Sequence, residues 1–415
     1  MKKSFGLFAA SLLMAVPAIA QAGSVTSKFD VTLGGYVKLD YAYNSVNLGQ
    51  NGGLTPGTGA IPRVNSSTGN QDQSILTSRQ SRLWLKVAGP EFYGAKTNAL
   101  IEGDFYGDDS AAAESPQFRM RQAWGSLDWA NTQVLFGQAY DIFGPMIAST
   151  IDFRSGAPFG TPNNPRVPQI RLTQTTHLNA DNTLRFVLGV QDPNQLGNNN
   201  SAASGTFGSM VNVAGQVMYE SKALGAAPGY YGLGMKPLTV GAFGLVGSQK
   251  VTGNHAVDVY GYGLYTFVPV LKSADGKSRA MTMSFEGQGY ISAGMTWNDA
   301  NSTPATVGAL PDETGAKEFG LASQLIFYPT QDLGITAGYG RRNAIDVGTY
   351  STVVAENAQR YAEEYYANVA YDLNSAVRVA TEFQHLKTQY VVAAGAAGGD
   401  FGQANIIRLA AYYFF

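Results

Sequence analysis

Apolar and polar residues alternate with a period of two along most of the chain, in segments of about ten residues. That is the pattern of strands with one apolar and one polar face. About sixteen such segments can be drawn. They lie near 30–40, 79–88, 96–106, 117–128, 132–139, 169–177, 183–191, 210–219, 237–247, 257–267, 280–294, 317–328, 333–342, 362–371, 376–387 and 404–415. The connections between them alternate in length. Short turns fall at Ala130-Asn131, Asn179 to Asn182, Pro329 to Asp332 and Asp372 to Ser375, and long loops cover about 41–78, 140–168, 192–209, 295–316, 343–361 and 388–403. Two turns, near 220–236 and 268–279, are longer than their position predicts. Short turns at one end and long loops at the other mark a closed up-and-down barrel with both termini on the short-turn side. The expected fold class is all-β: a transmembrane antiparallel β-barrel of about sixteen strands. One domain spans 23–415, with no plug domain ahead of the first strand.

The same alternation assigns faces. Val377, Val379, Thr381 and Phe383 are expected outward, and Arg378, Ala380, Glu382 and Gln384 inward. Leu184, Phe186, Leu188 and Val190 likewise point out, and Arg185 and Gln191 in. The opposite phase would turn charges toward lipid, at a few kcal/mol each near the midplane. Tyr41, Tyr43, Trp129, Tyr328 and Tyr371, at strand ends, suit the interfacial girdles. In the last strand, Ile407, Leu409, Ala411, Tyr413 and the terminal Phe415 share one face, a pattern that resembles the recognition signal of bacterial outer-membrane barrels.

The first residues read as an export signal. Lys2 and Lys3 precede an apolar run from Phe5 to Val16, and small residues around Ala18 to Ala22 offer a cleavage site, so 1–22 are expected to be removed. No later stretch is long and apolar enough for a membrane helix, so a membrane can be crossed only by strands. The chain has no Cys, which excludes thiolate metal sites, disulfides and cysteine nucleophiles. Tyr (23) and Phe (21) far outnumber Trp (4), Gly is frequent at 49, and only 14% of residues are charged, as two-faced strands require. The net charge is −2 before the leader removes two lysines, which argues against a nucleic-acid partner.

Sixteen strands leave an aqueous bore rather than a filled interior. The loop after the fifth strand, from Tyr140-Asp141-Ile142-Phe143-Gly144-Pro145 through Asp152, Arg154 and Pro158 to Pro168, is rich in Pro and Gly and unusually apolar. It is expected to fold inward and narrow the bore. By parity Lys38, Arg82, Lys86, Arg119, Arg121, Arg171 and Arg185 line the interior of the first seven strands, a basic wall that raises local anion concentration. Asp40, Glu102 and Asp104 share those faces and offset part of the charge. Asp141 and Asp152 could stand opposite and set a transverse field.

Four stretches, Gly34 to Asp40, Ile101 to Gly107, Phe118 to Gly125 and Leu135 to Gln138, resemble the DcaP-like trimeric porins. The resemblance lies mainly in the first third of the mature chain. It implies a homotrimer in the outer membrane of a Gram-negative bacterium, among lipid and lipopolysaccharide, that passes small organic anions such as dicarboxylates. No cofactor is expected. An outer-membrane enzyme is a competing reading, but His177, His255 and His385 lie in no hydrolase or metal-binding motif. A barrel sheathing a partner such as a cytochrome is another, for which the chain is short. A secreted β-sandwich would leave the terminal strand and the loop asymmetry unexplained.

Overall fold

The computed structural model describes residues 29–48, 61–107, 116–151, 160, 166–192, 208–250, 256–294, 317–345, 359–391 and 399–415. The export signal, Asp152, Arg154, Pro158 and His255 lie outside the described residues. The strand segments are β1 (Asp30–Asn44), β2 (Gln73–Thr77), β3 (Arg82–Phe92), β4 (Ala95–Asp104), β5 (Arg119–Asp128), β6 (Thr132–Tyr140), β7 (Arg166–His177), β8 (Asn182–Gln191) and β9 (Gly208–Pro228). They continue as β10 (Met235–Lys250), β11 (Ala256–Leu271), β12 (Thr282–Ala293), β13 (Lys317–Tyr328), β14 (Leu333–Ala344), β15 (Gln359–Asp372), β16 (Val377–Tyr390) and β17 (Phe401–Phe414). β2 pairs with Asp40–Asn44 of β1 and β3 with Asp30–Tyr36 of the same strand, so these two are halves of one broken stave. The result is a closed barrel of sixteen antiparallel staves.

Closure joins the two ends of the chain. Tyr36 to Asn44 of β1 pair with Phe414 to Ile406 of β17. Gly35 and Phe415 exchange both backbone hydrogen bonds, N to O, at 3.1 and 3.2 Å. A Cβ on Gly35 would run into the carbonyl of Arg82, so only glycine lets β1 lie this close to β3 while reaching the terminal residue.

The two long turns have a structural reason. β9 and β10 stay paired out to Pro228 and Met235, and β11 runs on to Leu271 before β12 begins at Thr282. Residues read from sequence as loop are strand extensions past the neighbouring turns. Register shifts fall at Pro237 and Pro269, where a residue without an N–H cannot hold the ladder. The turns are closed by side chains: in the short turns Asn179 Oδ1 accepts from the N–H groups of Asp181 and Asn182 and Asn374 Oδ1 from Ala376 and Val377, and in the long turn after β11 Asp275 Oδ1 accepts from Lys277 and Ser278.

Burial follows the expected phase. Val379, Phe383, Ile407, Leu409, Tyr413 and Phe415 are exposed on the outside, and Ala380, Glu382, Gln384, Arg408 and Tyr412 are buried within. Tyr328 departs from it. Rather than joining an outer girdle it points inward, with the Arg279 guanidinium 5.2 Å from its ring, because Lys317–Tyr328 puts even positions inside. Trp129 and Tyr371 keep exposed positions near the short-turn end.

Leu409 stands in the apolar band of the closing strand. Leu409→Arg should lower barrel stability by about 2–4 kcal/mol, read as an earlier urea midpoint in refolding from lipid vesicles.

Candidate functional site: the inner wall and the segments folded against it

The predicted basic residues fall on the inner faces of β1 to β8, and they divide into two groups. The first is buried in ion clusters. Lys38 is fully buried, and its Nζ lies 2.7 Å from Asp40 and also donates to Gln80 and, at 2.8 Å, to the carbonyl of Ile151. Arg121 donates to Glu102 at 2.9 Å, to Asp104 at 2.7 Å and to the Tyr140 hydroxyl at 3.1 Å. Arg119 holds Asp104 through both carboxylate oxygens at 2.9 Å each, but its own side chain stays 28% exposed and so also belongs with the second group.

A β-bulge makes this cluster possible. Between β4 and β5 the register slips at Glu102/Gly103, so one residue of β5 has no partner opposite. Strict alternation would send Gln122 outward after Arg119 and Arg121. With the extra residue absorbed, Arg121 and Gln122 are both buried inside, while Met120 stays exposed outside.

The second group meets pore water. Arg185 reaches Glu220 at 3.4 Å, with its side chain 39% exposed. Arg82 lies over the Tyr36 ring at 5.6 Å, and Lys86 over Trp84 at 4.5 Å. Arg171 faces inward opposite Leu135 of β6, and neither it nor Lys86 has a carboxylate at ion-pair distance among the described residues. Arg166, which sequence reading passed over at a strand end, joins them 5.8 Å from the Tyr140 ring.

The segment after β6, the fifth stave, makes the longest set of inner contacts. Gln191 of β8 donates to Asp141 at 2.7 Å, and Gln216 of β9 to the carbonyl of Ile142 at 2.5 Å. Gln288 of β12 accepts from Met146 N at 3.1 Å. Gln324 of β13 accepts from Ser149 N at 2.9 Å and donates to Ile147 O at 3.1 Å. Asn368 of β15 donates to Ser149 O at 2.6 Å, and Glu382 of β16 accepts from Ile151 N at 2.8 Å. Lys38 on β1 then takes the last carbonyl. A carboxamide offers both a donor and an acceptor, which suits it to a peptide backbone. Phe143 anchors the start, edge-on to Phe243 and Tyr290 at 4.9 and 5.6 Å. The turn that follows uses Gly144 at φ 82°, a left-handed conformation that favours glycine.

Two further inward contacts were not legible in the sequence. Ile61 to Val64, within the first long loop, dock on the inner ends of β16 and β17. Ile61 N donates to Thr388, the Tyr390 hydroxyl to Ile61 O, and Arg63 to Gly399 O at 2.7 Å. At the opposite end the turn between β9 and β10 inserts Tyr231, buried at φ 47°, into a cluster with Ile151, Ala380 and Tyr412. Asp141 does not face the basic wall from across the bore. It sits at the root of its segment beside β8, next to the wall itself. Among the described residues, His177 and His385 have only Thr183 and Asn405 as side-chain hydrogen-bond partners, at 3.4 and 2.8 Å.

Gln324→Leu would strip partners from Ser149 N and Ile147 O, at about 1–3 kcal/mol for each group left dry. Hydrogen exchange at Ser149 should quicken while the heat-shifted gel band of the folded barrel persists. A second test concerns Asp141, whose carboxyl burial raises to about 6, against hydrogen bonds from Phe143, Gln191 and Ile142 that lower it. Unfolded, it titrates near its ordinary value of about 3.9. Between those values the folded state binds the extra proton, so stability should fall as pH rises from about 4 to about 6 and then level off. Asp141→Asn should remove that slope and raise stability at neutral pH, as read from urea midpoints across the range.

No family model matches the chain, and no curated protein matches it in sequence. Solved structures do match it in fold. The outer membrane channel DcaP of Acinetobacter baumannii aligns with a TM-score of 0.67 and 19% identity, over 94% of this chain and 99% of that one. An anion-selective porin from Comamonas acidovorans aligns with a TM-score of 0.57 and 14% identity, over 93% and 100%. Pseudomonas putida OprB aligns with a TM-score of 0.53 and 11% identity, over 94% of each chain. The chain therefore has the fold of the outer-membrane porins, the multi-pass β-barrels of the Gram-negative outer membrane.

Proposed function

We propose that the protein is a passive channel of the Gram-negative outer membrane that admits small hydrophilic solutes and favours small organic anions, dicarboxylates among them. The observation that carries this reading is which inner charges remain open to water. Among the ion pairs of the wall, the side chains of Arg119, Arg185 and Lys236 are 28%, 39% and 41% exposed. Their acidic counterparts Asp104 and Glu286 are 2% and 0% exposed, and Glu382, paired to Arg408, is also at 0%. Glu220 is also open at 30%, and Asp372 at 17% and Glu102 at 12% are more exposed than the Arg279, Arg378 and Arg121 they pair with. A passing ion is thus offered more positive than negative surface, although the chain as a whole is slightly acidic.

The segment 141–151 supports the same reading. It lies against the carboxamide and carboxylate side of the bore, so it narrows the channel from that side and leaves the basic wall facing the passage. Its own atoms, with Ile61 to Val64 and Tyr231, occupy space that a sheathed partner would need. The anion-selective porin of Comamonas acidovorans shares the fold. We further propose a homotrimer, on the resemblance of the early strands to the trimeric porins. Lys38 and Arg121 act in this account as struts rather than as selectivity groups, while Arg82, Lys86, Arg119, Arg171 and Arg185 act on the solute.

Refolded protein in a planar bilayer should pass steady current steps and reverse on the anion side under a salt gradient. Neutralising Lys86, Arg119 and Arg185 together with glutamine should bring the anion-to-cation permeability ratio several-fold closer to unity, and should slow succinate entry into proteoliposomes more than entry of a neutral sugar. Cation selectivity in the unmodified protein would overturn the anion preference. Folded protein without conductance would overturn the channel.

A further inference from the structure

Among the described residues, the outer surface carries a built charged patch at the long-loop end of β14 to β17. Register places Ala337, Ala367, Phe383 and Ile407 side by side across these four strands, all outside and all apolar. Two residues further toward the long loops the same faces carry Tyr339, Tyr365, His385 and Asn405. Two more bring Arg341, Glu363, Lys387 and Gln403, and the next row includes Tyr361 and Phe401. The outer face thus passes from apolar to phenol to ion within four residues on β14 and β15, from Phe383 through His385 to Lys387 on β16, and to the uncharged Asn405 and Gln403 on β17. An interfacial band of aromatics followed by cations is where a bilayer changes from acyl chain to headgroup.

The patch is organised as well as placed. The Arg341 guanidinium lies 4.1 Å from the centre of the Tyr361 ring, and its two terminal nitrogens donate to Glu363 at 3.3 Å and Asn343 at 3.1 Å. Lys387 reaches the same Tyr361 ring from the other side, at 5.7 Å, and stands 5.7 Å from Phe401. Glu363 also accepts from Tyr339 at 3.3 Å, and it is Arg341, not Lys387, that it pairs with. Two cations therefore flank one tyrosine with one carboxylate between them, which leaves a net positive charge. The neighbouring strand β13 places Leu321 and Phe319 opposite Arg341 and Asn343, and Lys317 follows on the same face one row further on.

We propose that this patch binds a phosphate of the outer-leaflet glycolipid, with Arg341 and Lys387 as the phosphate ligands and the apolar row from Ala337 to Ile407 as the floor for its acyl chains. The inference rests on the outer-membrane reading above. Arg341 supplies directed N–H donors and Lys387 a point charge, a combination suited to an oxyanion held at one height. The acyl floor separates this ligand from a free anion, because phosphate alone would gain nothing from Phe383 or Ile407.

The test uses the purified full barrel in mild detergent, with native mass spectrometry counting bound bis-phosphorylated lipid A. Binding should fall at least tenfold in the double variant Arg341→Gln, Lys387→Gln, and at least tenfold for the same lipid stripped of phosphate. The heat-shifted band and the conductance of that variant should match the parent, since both residues lie outside the bore. Equal binding of phosphate-free lipid, or unchanged binding by the variant, would overturn the site. Displacement of the lipid by millimolar inorganic phosphate would overturn the glycolipid as its ligand. Disulfide crosslinking between protomers of a Lys387→Cys variant would overturn it too, by placing the patch in a subunit contact. Loss of the heat-shifted band and of conductance in the parent protein would instead defeat the outer-membrane reading.

Discussion

Every backbone N–H and C=O that enters hydrocarbon must find its partner within the protein, because lipid offers none. A sheet meets that demand only when it has no edge, and here the last open edge is sealed by β1 against β17. The paired bonds between Gly35 and Phe415 close the ladder at its lowest rung. The bulges at the two prolines and the long paired extension of β9 and β10 are tolerated because each lies at a strand end or beside a turn, where unpaired groups can reach water. The break in the second stave falls opposite the middle of β1, where the Ser81 hydroxyl accepts from Lys38 N at 3.0 Å and donates to Lys38 O at 3.4 Å.

Inside the barrel the same demand recurs on a smaller scale. A chain segment laid along an inner wall brings its own peptide groups, and residues 141–151 satisfy them with side chains from β9, β12, β13, β15, β16 and β1. Gln324 is the busiest of these, since it also donates to Glu286 and accepts from Tyr366. Such a network holds the segment in one place only because its members are satisfied together. Two charged residues, Lys38 and Glu382, take part in it, and both are buried by that service.

The electrostatic character of the bore follows from burial more than from composition. Acidic side chains such as Glu286, Glu364 and Glu382 are consumed in hydrogen bonds to tyrosine, carboxamide or peptide groups, and their screened charge contributes little to the water path. Arg119 and Arg185 keep 28% and 39% of their side chains exposed while paired, whereas Arg121 and Arg408 are buried with their acids.

The strands, their number, the face each residue takes and the side on which long loops lie were legible in the sequence, because a period of two and a lipid exterior penalise any other phase. Leu409 outward and Glu382 inward follow from that rule alone. The rule is local, and it fails where a position depends on another strand. It could not see that a bulge turns Arg121 and Gln122 the same way, or that Ile61 and Tyr231 enter the interior from opposite ends. Nor could it separate Lys38, sunk beneath Ile151, from Arg185, open to water, since both are inward cations in an alternating strand. Parity is written along one chain segment, whereas burial and ion pairing depend on which distant segments closure brings together, and only the tertiary structure decides that.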